Sequence, residues 1–305
     1  MFQTLKRSWS LTKATFRVIG HDKEILLYPV FSGLFSVLFL LFTIIPIFYI
    51  LITQNSTQLE ITQYLIMFIV YLGLAFIATF FDVATSYTAK TRFEGGNATV
   101  SSSFKFVFSK LHVVFLWSIL RATVNILFRI LESGARNAKG PMKIVTMVLH
   151  SLLAIGWRIV TLFVVPSLVY KGLGPINSIK DSIGVLKKTW GESLTIYIGM
   201  GAVKMLVNTL LILGLFLGLF IGFMTGSTTL LVVFAILFFI SLILSILIFS
   251  VADTVFDTAL YHYALTGEVP MGYEKHDLDD AFKSNTNNFN NGFIKNNGFN
   301  QNNNI

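Results

Sequence analysis

The sequence predicts an all-α integral membrane protein of about six transmembrane helices in three hairpins, with amphipathic helices on the cytoplasmic face. The 305-residue chain is 54% hydrophobic and 12% charged, whereas soluble globular proteins are roughly 45–50% apolar and about 25% charged. Its mean hydropathy is +0.72. Its apolar runs, rich in the thirty phenylalanines, are long enough to cross a hydrocarbon core, which takes about 20 helical residues.

A first amphipathic stretch, Phe2, Leu5, Trp9 and Phe16, ends near Gly20. Apolar runs from Leu26 to Ile52 and from Ile61 to Ala89 then form a hairpin. Its connection, Thr53 to Glu60, has no Lys or Arg; Lys6, Arg7, Lys13, Arg17 and Lys23 precede the hairpin, and Lys90, Arg92, Lys105 and Lys110 follow it. Basic flanks stay inside, which predicts a cytoplasmic N-terminus. The first run is too long for a signal-peptide core and has no Ala-x-Ala exit, so a retained signal anchor is expected.

A second amphipathic stretch, Phe104, Val107 and Leu111, follows Glu94-Gly95-Gly96. The third and fourth spans, Leu111 to Leu131 and Lys143 to Tyr170, are interrupted by Arg. Their connection carries Arg136 and Lys139, the wrong sign for an outer loop, so these helices are expected to tilt, stop short or re-enter. The third amphipathic stretch is the clearest. Gly174 and Pro175 suit an N-cap and an N1 proline. Ile176, Ile179, Ile183 and Leu186 recur at helical spacing, with Ser178, Lys180, Asp181, Lys187 and Lys188 as the polar side and Trp190 at the headgroup level. The last spans, Ser193 to Met224 and Thr228 to Ala264, are joined by the uncharged turn Thr225 to Ser227, which returns the C-terminus to the cytoplasm.

The plan is therefore one interfacial helix followed by a membrane hairpin, three times over. Phe81-Asp82-Val83-Ala84 resembles Phe256-Asp257-Thr258-Ala259. Residues 1–270 form the membrane domain. From Met271 the chain turns acidic and then Asn-rich, with Asn-Asn-Gly-Phe twice; so polar a segment buries too little surface to offset its ordering entropy, and 271–305 is expected to be a disordered cytoplasmic tail.

Absence of cysteine removes disulfides, thiolate nucleophiles and Cys-based zinc sites. The five histidines, His21, His112, His150, His262 and His276, have no paired metal-ligand spacing, and neither a Gly-x-Ser-x-Gly elbow nor a phosphate loop is present. Asp253 and Asp257 at i and i+4 would suit a metal-dependent lipid hydrolase only with a third ligand. The expectation is a non-enzymatic protein with no catalytic residue, metal or cofactor. The net charge of +8 sits mostly beside apolar runs, so the expected partners are the lipid bilayer, with membrane proteins or anionic lipid at the cytoplasmic face, and not nucleic acid. Asn55-Ser56-Thr57 and Asn97-Ala98-Thr99 match the glycosylation pattern. The first is the one predicted outside, too close to the membrane for modification.

Ionisable groups inside apolar runs are costly and count as functional candidates. They are Asp82, Arg121, Arg158, Lys204, Asp253 and Asp257, with Arg129 near a helix end. Three acids against three bases predict structural pairing, and a substrate or proton path is the alternative. Trp117, Arg121, Asn125 and Arg129 form one stripe, and Asp253, Asp257 and Tyr261 another, so both stripes should face the bundle interior or water. Transport would call for a helix break, for which Gly199 to Gly201 is the candidate. Gly214, Gly218 and Gly222 suit close helix packing.

One set of motifs resembles an uncharacterised family of polytopic membrane proteins known only as a domain of unknown function. It comprises Trp157-Arg158-Ile159-Val160-Thr161-Leu162-Phe163-Val164-Val165-Pro166, then Gly172-Leu173-Gly174-Pro175, then Thr189-Trp190-Gly191-Glu192. Ser8-Trp9-Ser10-Leu11, Asp22 to Pro29, Phe93-Glu94-Gly95-Gly96 and Ala122-Thr123-Val124 fit as well, so the resemblance spans about residues 5 to 270. It implies a multi-pass membrane fold and no particular activity. Two positions depart from the family pattern: Lys171 stands where an acidic residue is usual, and Asp181 where Ser is common. More distantly the layout resembles membrane domains fused to some glycerophosphodiesterases, whose hydrolase part has no counterpart here.

Overall fold

The computed structural model describes residues 12–20, 23–53, 60–137, 139–189 and 192–274, and among these it contains helices and no strand. A short helix α1 (12–20) and a 3-10 turn (Lys23–Leu26) lead into two long helices, α2 (Leu27–Thr53) and α3 (Glu60–Phe93). The short α4 (Val100–Ser109) leads into α5 (Leu111–Asn137) and α6 (Pro141–Val160), which a brief turn joins to α7 (Val164–Lys171). The short α8 (Pro175–Thr189) leads into α9 (Glu192–Met224) and α10 (Thr228–Thr266). Six stretches are long and apolar enough to cross a membrane: Glu24–Ile45, Leu65–Phe93, Leu111–Arg136, Pro141–Lys171, Val203–Met224 and Thr228–Thr266. The central helices are α3, packed on α2, α5, α7 and α10, and α10, packed on α2, α3 and α9.

The helix ends have local causes. Thr99 caps α4 by accepting the Ser102 amide at 3.2 Å, and the Glu24 carboxylate accepts the Val100 amide at 3.0 Å. Ser227 caps α10, whose far end stops at Gly267 in the left-handed region (φ 72°).

Burial divides the molecule into two zones. Along α10, Val232, Ile236, Ile240 and Ile243 are exposed, whereas Val251, Ala252, Val255, Phe256, Ala259 and Leu260 are buried. Along α3, Leu65 and Ile69 are exposed, and Phe81, Val83, Ala84 and Ala89 are buried. One zone is thus a sheath of outward-facing apolar side chains, suited to lipid, which exerts no hydrophobic drive to bury them. Within the sheath the Ser245 hydroxyl donates to Asn208 Oδ1 at 3.0 Å, tying α10 to α9. The other zone has an ordinary core, where α1, α4, α7 and α8 pack around the ends of α3 and α10.

The short helices dock through hydroxyl groups as much as through apolar side chains. Thr15 of α1 bonds the Tyr273 hydroxyl at 2.9 Å. Ser103 of α4 bonds Thr88 at 2.7 Å, and Thr88 bonds the Tyr28 hydroxyl at 2.9 Å. Ser182 of α8 accepts the Phe163 amide at 3.2 Å.

Several expectations change here. The predicted polar side of α8 does not all face outward: Ser178 and Ser182 are fully buried, while Ile176 of the predicted apolar side is 67% exposed. Small hydroxyl residues allow α8 to approach its neighbours closely, which a row of isoleucines would prevent. The fourth span is two helices broken at 161–163. Conversely, α9 runs unbroken through Gly199 to Gly201, the candidate for the break that transport would call for. Of the glycine row, a Cβ at Gly218 would meet Phe234 at 2.3 Å and one at Gly222 would meet Leu231 at 2.6 Å, whereas Gly214 faces open space. Tyr273, placed by sequence in the tail, is buried and stacks edge-on against Phe93. Met1 to Leu11, the 54–59 connection with Asn55, Trp190 and residues 275–305 lie outside the described residues.

Candidate functional site: a polar cavity between the two zones

The charged candidates from five helices converge. A partly open cavity of about 340 Å³ is lined by Asp82 of α3, by Trp117, Arg121 and Asn125 of α5, and by Trp157 and Arg158 of α6. The broken span adds Thr161, Leu162, Val165 and Pro166, and α10 adds Ser250, Asp253, Thr254 and Asp257. Helical spacing explains the convergence on α5 and α10, since residues four apart share a face. Arg129, fourth in the α5 stripe, lies away from the cavity and bonds Glu132 at 3.4 Å; Glu132 in turn holds Arg136 at 2.6 Å.

Two ion pairs stand at this level. Arg121 Nη1 donates to Asp82 Oδ2 at 3.3 Å and to Thr79 Oγ1 at 2.9 Å. Lys204 Nζ donates to Asp253 Oδ2 at 2.8 Å, joining α9 to α10. Asp257 is different: its buried Oδ1 has no hydrogen-bond partner among the described residues. The same holds for the indole N–H of Trp117, whose ring stacks on Trp157 at 6.2 Å with an interplanar angle of 22°. A smaller cavity of about 190 Å³ shares Asp82, Ser250 and Thr254 and adds Ser32, Ser36 and Thr85. The two similar motifs meet here, Asp82 and Asp257 lining the large cavity and Ser86 bonding Thr258 at 2.9 Å one turn further along.

Helix length sets the depth of these charges. At 1.5 Å per residue, Asp82 stands about 33 Å along α3 from Glu60, Lys204 about 30 Å from the end of α9 at Met224, and Asp253 about 38 Å from Thr228. A hydrocarbon core is about 30 Å thick. Counted from the far ends of these helices, the charges fall at the near edge of such a slab, where the sheath gives way to the packed zone.

Of the second candidate set, Pro175 opens α8, Lys180 and Lys187 are exposed, Lys188 lies in the last turn, and Trp190 is outside the described residues. Asp181, read from sequence as part of the polar side, turns inward. It accepts from Lys171 Nζ and, at 2.6 Å, from the Tyr261 hydroxyl. Burial tends to raise the Asp181 carboxyl; hydrogen bonding to Lys171 and Tyr261, with the Ser167 hydroxyl adjacent and the Lys171 charge, outweighs it and holds the group below its ordinary value. Lys171 and Asp181 are therefore bonded to each other.

Sequence reasoning passed over Thr79 and the indole of Trp117 as binding groups. Trp117 was visible in the α5 stripe, and Thr79 precedes Asp82 by three residues on the same helix face. No group of three or more His, Asp or Glu side chains converges as a metal-ligand set among the described residues, so the Asp253–Asp257 pair gains no third ligand there.

Fold and site together define a multi-pass helical membrane protein of unknown activity. The chain belongs to a family of unknown function (DUF6159), whose model matches residues 61–271. That match takes in every residue lining the larger cavity, while Pro29, Ser32, Gly33 and Ser36 of the smaller one precede it. No curated protein matches the chain.

Proposed function

We propose that the protein is a non-enzymatic lipid-interaction module that spans the membrane six times in three hairpins, each preceded by a short helix at the cytoplasmic face. Both termini lie in the cytoplasm, and the packed zone with its lysines sits against the inner leaflet. The observation that carries this reading is the partly open polar cavity at the edge of the apolar sheath. Polar groups of protein and lipid meet at that depth, and the stacked Trp117–Trp157 pair suits it. The exposed lysines of α8 supply charge toward anionic lipid. Lipids retained by the purified protein, compared with the bulk membrane, test the proposal. Selective retention that weakens on charge reversal at Lys180, Lys187 and Lys188 supports it; retention matching the bulk and indifferent to those changes overturns it.

A small carrier is the second reading, favoured by the way the two cavities meet at Asp82, Ser250 and Thr254. Neutralising Asp82, Asp253 and Asp257 separates the readings: folded protein that loses solute or proton flux in liposomes supports the carrier.

A further inference from the structure

Two residues that line one cavity each carry a buried polar atom, the two of opposite type, with no hydrogen-bond partner among the described residues. Trp117 is 3% exposed, and its indole N–H can only donate. Asp257 Oδ1 can only accept while ionised. Leaving such groups unsatisfied is destabilising, so the cavity is built for something that brings both an acceptor and a donor. The two lysine and arginine pairs sharpen the demand. Lys204 is engaged with Asp253, whereas Arg121 makes both its bonds through Nη1, so Nε–H and the Nη2 donors take no hydrogen bond among the described residues. Arg121 and Trp117 sit one turn apart on α5, and Asp257 lies across the cavity on α10. The α5 lining thus offers N–H donors to an anion, joined by the Arg158 charge of α6, and the α10 lining offers the Asp257 carboxylate to a cation.

We infer that the cavity holds the phosphoethanolamine group of an aminophospholipid, the phosphate on Arg121 and Trp117 and the primary ammonium on Asp257. Its volume of about 340 Å³ has room for about ten waters at roughly 30 Å³ each, enough for a headgroup of similar heavy-atom count. A quaternary ammonium has no N–H for Asp257, and a glycerol headgroup brings hydroxyls but no positive charge to that carboxylate. The source is the bilayer because the cavity lies at the slab edge. Its lining helices continue into exposed apolar side chains, Leu127 and Leu131 on α5, Leu152 on α6, and Ile243 and Ile246 on α10, along which acyl chains can lie.

This inference rests on the lipid-module reading and is tested apart from it. Full-length protein in detergent, stripped of lipid, is titrated with phospholipids of identical brominated chains and ethanolamine, choline or glycerol headgroups, with tryptophan quenching as the signal. Ethanolamine lipid is expected to bind about tenfold more tightly than the other two. Asp257→Asn should abolish the preference at an unchanged unfolding temperature, because Asp257 Oδ1 makes no hydrogen bond among the described residues that the change would break, and Trp117→Phe should weaken ethanolamine binding about fivefold. Equal binding of all three headgroups, or a preference that survives Asp257→Asn, overturns the site. Free phosphoethanolamine competing as well as the lipid overturns the bilayer as source. Retention of glycerol lipid through α8 without ethanolamine preference refutes this site alone; no lipid binding at all refutes both readings.

Discussion

Substituting Lys204 by Met removes the base from a 2.8 Å ion pair whose side chains are 33% (Lys204) and 25% (Asp253) exposed. Exposed pairs are worth about 0.2–1 kcal/mol, and removing one partner of a fully buried pair costs about 3–5 kcal/mol. Intermediate exposure places this change at about 2–3 kcal/mol. The neighbours push toward the upper figure, because Asp253 without Lys204 shares a cavity with Asp82 and, one helical turn away, Asp257. Asp253→Asn leaves a lysine that can extend toward the slab edge, and should cost about 1–2 kcal/mol. The double variant Lys204→Met with Asp253→Asn keeps the packing and strands neither charge; it should cost about 1 kcal/mol, giving a coupling of about 3 kcal/mol. The measurement is a double-mutant cycle on reversible unfolding in mixed micelles, all four proteins under one detergent condition. A double variant whose loss equals the sum of the singles within about 0.5 kcal/mol refutes the coupling, and with it the idea that this pair joins α9 to α10.

The glycine row gives a graded result in thermal unfolding: Gly218→Ala and Gly222→Ala, which collide with Phe234 and Leu231, should each destabilise by about 1–3 kcal/mol. Gly214→Ala should be neutral or stabilising by up to about 1 kcal/mol through helix propensity; equal effects at all three positions would remove the close-approach explanation. Asp181→Asn should destabilise the α8 contact by about 1–2 kcal/mol at neutral pH. Because the folded-state carboxyl lies below its unfolded value of about 3.9, its contribution is full above that value and fades as pH falls through the lower folded value. The gap between native protein and Asp181→Asn should therefore close in acid, and a gap that widens there contradicts the assignment. Since the chain has no cysteine, single cysteines report sidedness directly: Ser227→Cys should react with an impermeant maleimide from outside intact cells, and Lys187→Cys only after permeabilisation. The reverse pattern inverts the proposed orientation.

Much of the fold was legible because membrane spans are written in composition. Apolar runs marked six helices long and apolar enough to cross a membrane, and the uncharged segment Thr225–Ser227 marked the turn between α9 and α10. The site was half legible. Spacing of four along α5 and α10 put Arg121, Asn125, Asp253 and Asp257 on shared faces, and they do line one cavity. The partners were not legible, since three acids and three bases allow many pairings and distance alone selects Arg121–Asp82 and Lys204–Asp253. The orientation of α8 was misread for a related reason. Helical periodicity identifies an apolar row but not what that row must fit against, and the neighbouring helices admit Ser178 and Ser182 where isoleucines would be too large. The break at 161–163 had no glycine to mark it; its Phe163 amide is satisfied by Ser182, nineteen residues away.

The sequence by itself determined that this chain lives in a membrane, because hydrocarbon solvates apolar residues locally and each span reports its own environment. It also determined which side chains would be too costly to leave facing lipid. Only the tertiary structure decided that these charges gather beside one cavity, that two pairs neutralise each other, and that Trp117 and Asp257 line that cavity, each with a buried polar atom that makes no hydrogen bond among the described residues. Pairing and depth depend on how far each helix slides along its neighbours, and that is set by contacts between residues distant in the chain.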